Sequence, residues 1–274
     1  MIDSTLLPFI QHIKACKSAN LPGKYIPLSY HEKIIGWIAP QYSSFLTQLG
    51  YLQSGTGFHI TSGHQLLSLS NNLAELNAYK PHNELFDVRA QKDVVIGQVD
   101  RGAIPILGLN AEGIHLNGLV KQGDKLMLWV AKRSMNKRLD PGKLDHLVAG
   151  GMSTGLTPNL TVLKEAQEEA GIPPELAQQA KHVSTLHYAL ERPEGLRRDL
   201  LHCYDLILPE SFTPIAEDGE VESFSLLPIQ DVFQIVKNTN DFKFNVNLVL
   251  IDLFIRHNLF NSKEKATLSN LLNE

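Results

Sequence analysis

Leu6, Leu7, Ile10, Ile13 and Cys16 recur at helical spacing over residues 4–18, behind a Ser4 that can cap and ahead of Pro22-Gly23, so an amphipathic helix is predicted there. Two short β-branched or aromatic runs, residues 25–30 and 33–38, are split by His31-Glu32 and predict a hairpin carrying Trp37 on one face. A helix over 40–49, strand-like runs at 57–61 and 65–69, and a helix starting near Asn71 follow. Residues 99–109 are apolar but short, and periodicity leaves their type open. Beyond Gly113 the period changes to two. Residues 114–120 and 126–130 flank Lys121-Gln122-Gly123-Asp124, a strand pair with a glycine turn. Further strands are expected at 183–190 and 200–208, around Pro193-Glu194-Gly195, and at 220–226; helices over 229–236, 246–256 and after Ser262 close the chain.

This pattern predicts an α+β chain. At roughly 150 residues per domain the 274 residues make about two. We place a smaller α+β domain at 1–110, whose polar residues form no catalytic group and which builds architecture or shapes a pocket, and a second domain at 111–274. With 43% hydrophobic and 20% charged residues, disorder is excluded. The 25 basic and 29 acidic residues leave a charge of −4, which offers no general attraction to a polyanion, so no nucleic-acid partner is expected. No run approaches the ~20 apolar residues that cross a bilayer, and no membrane association is expected. Met1-Ile2-Asp3-Ser4 has no basic region followed by an apolar one, which points to the cytoplasm. Cys16 and Cys203 stand at no metal or redox spacing and read as buried hydrophobes. Oligomeric state is not readable from these residues.

The chemistry concentrates in one stretch. Gly150, Gly151 and Gly155 form a loop that runs into a helix capped by Thr157 or Asn159, with Pro158 in its first turn and Gly171 at its end. Val162, Leu163, Ala166 and Ala170 occupy one arc, and Glu165, Glu168 and Glu169 an adjoining one. Like charges at these spacings each cost about 0.2–0.5 kcal/mol, and the helix dipole penalises carboxylates in the last turn by roughly another 0.3–1 kcal/mol. Lys164 lies next to Glu165 and so points about 100° away from it, leaving Glu168 as its expected partner. One pairing does not settle three charges. A hard divalent cation would, Mg²⁺ or Mn²⁺, and glycines allow close backbone approach to a ligand.

These residues resemble the Nudix box, Gly-x5-Glu-x7-Arg-Glu-U-x-Glu-Glu-x-Gly-U with U aliphatic. Gly150 matches its first glycine; Glu165, Glu168 and Glu169 match the acids after the arginine; Gly171-Ile172 match the end. Leu156 stands where the first glutamate belongs and Lys164 replaces the arginine, two positions that in the family pair and brace the loop. The resemblance implies a Nudix-type α/β/α sandwich that binds Mg²⁺ and hydrolyses a diphosphate. Trp129 to Ser134, Pro141 to Asp145, Gly113 to Gly118, Asp218 to Phe224, Leu250 to His257 and Ile34 to Pro40 resemble the Nudix branch related to thiamine pyrophosphokinase, which carries an N-terminal domain. That branch implies thiamine diphosphate, or its oxidised analogues, as the small-molecule substrate, cleaved to the monophosphate plus phosphate.

Around the box, Lys132, Arg133, Lys137, Arg138 and Lys143 face a single acid, Asp140, between residues 132 and 143. We expect Arg133 and Lys132, with Gly150 and Gly151, to hold the phosphates, Arg133 through its two-pronged guanidinium. Glu165, Glu168 and Glu169 are the expected catalytic residues and metal ligands, with Glu220 or Glu222 as a further acid. His115, His146, His187 and His202 are scattered and read as structural. Two other readings stand beside the hydrolase: a non-catalytic diphosphate-binding or regulatory protein, its chemistry weakened at Leu156 and Lys164, and an isopentenyl diphosphate isomerase-like enzyme, which lacks a cysteine near the loop.

Overall fold

The computed structural model describes residues 5–51, 55, 57–91, 94–216 and 219–274; the Ser4 cap and Asp218 lie outside them. The chain begins with α1 (Leu7–Cys16), the hairpin β1 (Ile26–Tyr30) and β2 (Lys33–Ile38), a 3-10 turn into α2 (Ser43–Gln48), and β3 (Phe58–Ile60). Next, α3 (His64–Glu75) covers residues expected to contain a strand. Leu66, Leu69 and Leu73 are all buried, and their spacing of three and four is helical; a run cut off at Ser70 hides that period. A second hairpin, β4 (Leu85–Gln91) and β5 (Val94–Asp100), then leads through a 3-10 turn to α4 (Ile104–Leu107), which resolves the ambiguous apolar run.

The central sheet follows. It comprises β6 (Asn110–Gln122), β7 (Lys125–Arg133), β8 (Leu144–Asp145) and β9 (Val148–Gly151), then, after α5 (Pro158–Ala170) and α6 (Pro174–Ala177), β10 (Lys181–Arg192), β11 (Gly195–Ile207) and β12 (Val221–Pro228). Its order is β10-β11-β6-β7-β12, with β8 on β7 and β9 on β6. β6 lies parallel to β11 along one edge; its other edge pairs with β9 over Gly113–Leu116 and with β7 from Gly118 onwards. α7 (Ile229–Asn238), α8 (Val246–Arg256) and α9 (Ser262–Asn273) end the chain.

Strand alternation sends Ile114, Leu116 and Val120 to one face, where they pack with Val162, Ala166 and Ala170 of α5. Leu119, Leu128 and Val130 point the other way, onto α7, α8 and α9. Helices therefore cover both faces, giving the α/β/α sandwich. α1 joins this second cluster through Phe9, Ile10, Ile13 and Cys16, although it precedes the hairpins in sequence. A separate core, containing Leu28, Phe58, Leu66, Leu69 and Phe86, fills the space among β1 to β5 and α3. Among the described residues, no helix is long and apolar enough to cross a membrane.

Candidate active site

Thr157 caps α5, its hydroxyl accepting from Leu160 N at 3.3 Å, and Gly171 ends the helix in the left-handed conformation at φ 61°. Asn159, the alternative cap, instead accepts a hydrogen bond from Tyr204 Oη at 2.7 Å. Packing of the alanine-rich face onto the sheet sets the depth of the three glutamates: Glu168 exposed, Glu165 half-buried, Glu169 buried. Glu169 Oε2 accepts from Ala149 N at 2.8 Å. Burial with so little compensation pushes its carboxyl up to about 8, and Glu165 and Asp145 add to the rise. Burial also raises the Glu165 carboxyl.

Lys164 does more than its place on the helix implies. Its ammonium reaches Glu165 at 2.9 Å and Glu168 at 2.7 Å, because a four-carbon stem bends across an angle that separates the two Cβ atoms. The electrostatic frustration expected over three acids is thus concentrated on Glu169.

Gly150 and Gly151 hold β9 close to two different neighbours. A methyl on Gly150 would lie 2.5 Å from the carboxyl carbon of Glu165; one on Gly151 would lie 2.5 Å from the Phe86 ring. Both glycines line a cleft of about 860 Å³ between the sheet and the N-terminal hairpins. Glu84, Phe86 and Arg101 enter it from β4, β5 and their flanks, and Lys137, Arg138, Arg192, Arg197 and Lys243 from the sandwich side. A smaller cavity of about 10 Å³ adjoins Glu169 and is also lined by Glu220, Lys137 and His146.

The two cations expected to hold phosphate part company. Arg133 lines the cleft but its guanidinium is engaged on every nitrogen: Nη1 donates to Asp145 Oδ2 at 2.6 Å, Nη2 to Leu139 O at 2.8 Å and Nε to Asp140 O at 3.1 Å. It ties residues 139 and 140 to the sheet. Lys132, on the alternate face of β7, is paired with Glu222 at 2.8 Å. Glu222 therefore points away with Lys132, whereas Glu220 pairs with Lys137 beside Glu169.

His115 and His146 are not scattered. Their Nδ1 atoms are 2.9 Å apart, next to Asp145, and the three residues' ligand atoms lie within 4.8 Å of one another. Burial holds both imidazoles neutral, His146 down to about 4, so that one ring can donate to the other. Arg133 and Lys243 already face Asp145, and an added cation would meet both. The Nδ1 pair is hydrogen-bonded, while the buried His146 Nε2 has no partner among the described residues. Cys16 and Cys203 are buried, and burial pushes both thiols up to about 12.

Sequence reasoning passed over Glu84, Asp87, Arg101 and Lys243. For Asp87 the signal is the alternation of buried Phe86 and Val88 with polar Asp87 and Arg89.

A glycine loop feeding a helix of three glutamates, set on a sandwich and facing a cationic cleft, defines a hydrolase of phosphorus anhydrides. The NUDIX domain pattern matches residues 117–247. Nudix hydrolase 20, chloroplastic, of Arabidopsis thaliana is 34% identical over 277 residues, covering 93% of this chain and 74% of that protein. Nudix hydrolase 24, chloroplastic, of the same plant is 34% identical over 274 residues, covering 94% and 74%. Among solved structures, DR0079 from Deinococcus radiodurans is 20% identical with a TM-score of 0.49, covering 61% of this chain and 97% of that one. The chain belongs to the Nudix hydrolase family, and its substrate contains a diphosphate.

Proposed function

We propose that the protein hydrolyses thiamine diphosphate or its oxidised analogues to the monophosphate and phosphate, with Mg²⁺ or Mn²⁺ held by Glu165, Glu168 and Glu169. The observation that carries the metal site is Glu169, a buried carboxylate with a single backbone donor and a strongly raised pKa. Oxygen donors of this kind suit a hard divalent ion, and the side chains present fit one. A cation bound there supplies the positive charge that offsets the diphosphate oxygens.

The chain's own residues do the rest. Glu220 and Glu169 line a cavity large enough for one water, and with Glu169 on the metal the Glu220 carboxylate can accept a proton from a water placed there. Lys243, Arg101 and Arg138 offer cationic contacts to the phosphates from the walls of the larger cleft, while Arg133 shapes the loop that carries Arg138. Phe86 is buried beneath the Arg101 guanidinium, 5.4 Å from its ring centre, and backs that cation where it faces the cleft.

The test is phosphate release with Mg²⁺ across thiamine, nucleoside-sugar and isoprenoid diphosphates, with calorimetric binding measured alongside. Preferred turnover of the thiamine compounds supports the proposal. Preferred turnover of another class removes the thiamine assignment, and binding without phosphate release removes catalysis.

A further inference from the structure

The loop over residues 152–155 joins β9 to α5, and neither end of α5 reaches back to hold it. The Leu156 side chain has no polar group, its N–H donating to Ser153 O at 3.1 Å within the loop, and the Lys164 ammonium is engaged by Glu165 and Glu168. The β4–β5 hairpin takes hold of the loop instead. Thr154 N donates to Leu85 O at 2.8 Å, and Thr154 Oγ1 donates to the Asp87 carboxylate while accepting from Gln98 Nε2 at 2.6 Å. Gly155 N donates to Asp87 Oδ2 at 3.2 Å. Ser153 Oγ donates to Glu84 Oε1 at 2.6 Å, and Arg101 holds the other oxygen of that carboxylate at 2.8 Å. Three successive loop residues are thus tied to side chains far away in sequence, all three through carboxylate acceptors, which make the stronger hydrogen bonds.

On either side of this loop lie the contacts that set the glutamates. Before it, Ala149 N meets Glu169 and Gly150 abuts Glu165; after it, Thr157 starts the helix. A displacement of the loop moves the two sets relative to each other. We infer that Asp87, supported by Glu84 and Gln98, is a positioning residue: the N-terminal hairpin holds the glycine loop in the register that lets α5 bind metal, a task that no side chain at 156 or 164 performs here. The N-terminal segment is then part of the catalytic unit. The inference rests on reading α5 as the metal-bearing helix.

The test uses the full chain, with D87A, D87N and T154V. Amide exchange over residues 152–156, Mn²⁺ affinity by electron paramagnetic resonance, kcat and KM on whichever diphosphate is turned over, and thermal midpoint are measured together. In D87A we expect exchange of the loop amides to speed at least tenfold, Mn²⁺ affinity to fall about tenfold, and kcat to fall at least tenfold with KM little changed. D87N keeps an acceptor oxygen for Thr154 and should recover part of each loss. T154V deletes the Asp87 and Gln98 contacts at nearly constant shape and should reproduce the effect even if D87A fails to fold. Fast loop exchange with wild-type Mn²⁺ affinity and kcat would reduce the clamp to a structural tie and overturn the inference; unchanged exchange would overturn it too. A wild-type chain that takes up no Mn²⁺ at α5 removes the reading of that helix as well, so the two failures are distinguishable.

Discussion

Ala149 N donates to Glu169 Oε2 at 2.8 Å, and that backbone bond takes the place of a counter-charge for a carboxylate buried under the sheet. A group whose pKa is raised on folding, here from 4.5 to about 8, binds its proton more tightly in the native state. Its contribution to stability is complete below pH 4.5, declines as pH rises and is gone above about 8. E169Q mimics the protonated form. We expect the thermal midpoint of the metal-free variant to match wild type near pH 5 and to exceed it increasingly up to pH 8, with about 2–4 °C for each kcal/mol. Mg²⁺ should raise the midpoint of wild type only, and turnover should be lost in the variant. Scanning calorimetry at four pH values with and without Mg²⁺ decides this; equal midpoints throughout would mean that Glu169 is not an uncompensated buried acid.

The contrast between α5 and its surroundings shows what a linear pattern carries. Thr157, Pro158 and Gly171 mark the ends of α5 because capping and left-handed termination are local. Lys164 bridging two acids was not legible, since residue angles on a helix locate Cβ atoms and not the tip of a long side chain. Arg133 reads as a free cation until the loop over residues 134–142 folds back and offers it two carbonyls. Asp87 and Glu84 look like loop polarity because the hydroxyls they bind lie nearly seventy residues later in the chain. What depends on distant segments meeting is invisible in a window of ten.

Gly150→Ala separates fold from function. Gly150 is not in the left-handed region, so alanine meets no backbone strain, and the atoms in its way are the carboxyl end of Glu165. A flexible tip can move aside at little cost to stability. We expect a midpoint within about 3 °C of wild type, a shift near 1 kcal/mol, and at least a tenfold loss of kcat as Glu165 is displaced. A variant as active as wild type would show that the position of Glu165 does not matter to turnover.

Arg133→Ala should act mainly on stability. The guanidinium is buried against Asp145, whose carboxyl burial pushes up but Lys243 and Arg133 together hold well below its ordinary range. Removing the arginine leaves the carboxylate to a lysine 3.7 Å away and the His146 N–H at 2.9 Å, and orphans the carbonyls of Leu139 and Asp140. Breaking a buried pair in this way costs about 3–5 kcal/mol, a fall in midpoint on the order of 10 °C. In wild type the sign of the Asp145 shift places its stabilisation above pH 3.8, lost as pH falls further. Denaturant titration from pH 5 down to pH 2 should show that acid loss in wild type and a weaker pH dependence in the variant.

Lys243 and Arg133 share one carboxylate, and that imbalance predicts different behaviour for the lysine. Arg133 makes the short contact with Asp145 at 2.6 Å, Lys243 stands off at 3.7 Å, and Lys243 faces the cleft with its side chain 12% exposed. Burial lowers its ammonium pKa, the mark of a cation that gains less from its surroundings than water would give. Lys243→Met removes that charge and keeps the apolar stem, and Asp145 retains its closer partner. The variant should therefore lose less stability than Arg133→Ala does. Its charge, which helps hold Asp145 ionised, also faces the cleft, where an anion can use it. Losing it should weaken calorimetric binding of Mg²⁺-pyrophosphate about tenfold, which corresponds to about 1.4 kcal/mol, and raise KM for the diphosphate substrate in proportion while kcat stays within threefold. A methionine variant that is destabilised yet binds pyrophosphate normally would assign Lys243 to Asp145 and not to the substrate.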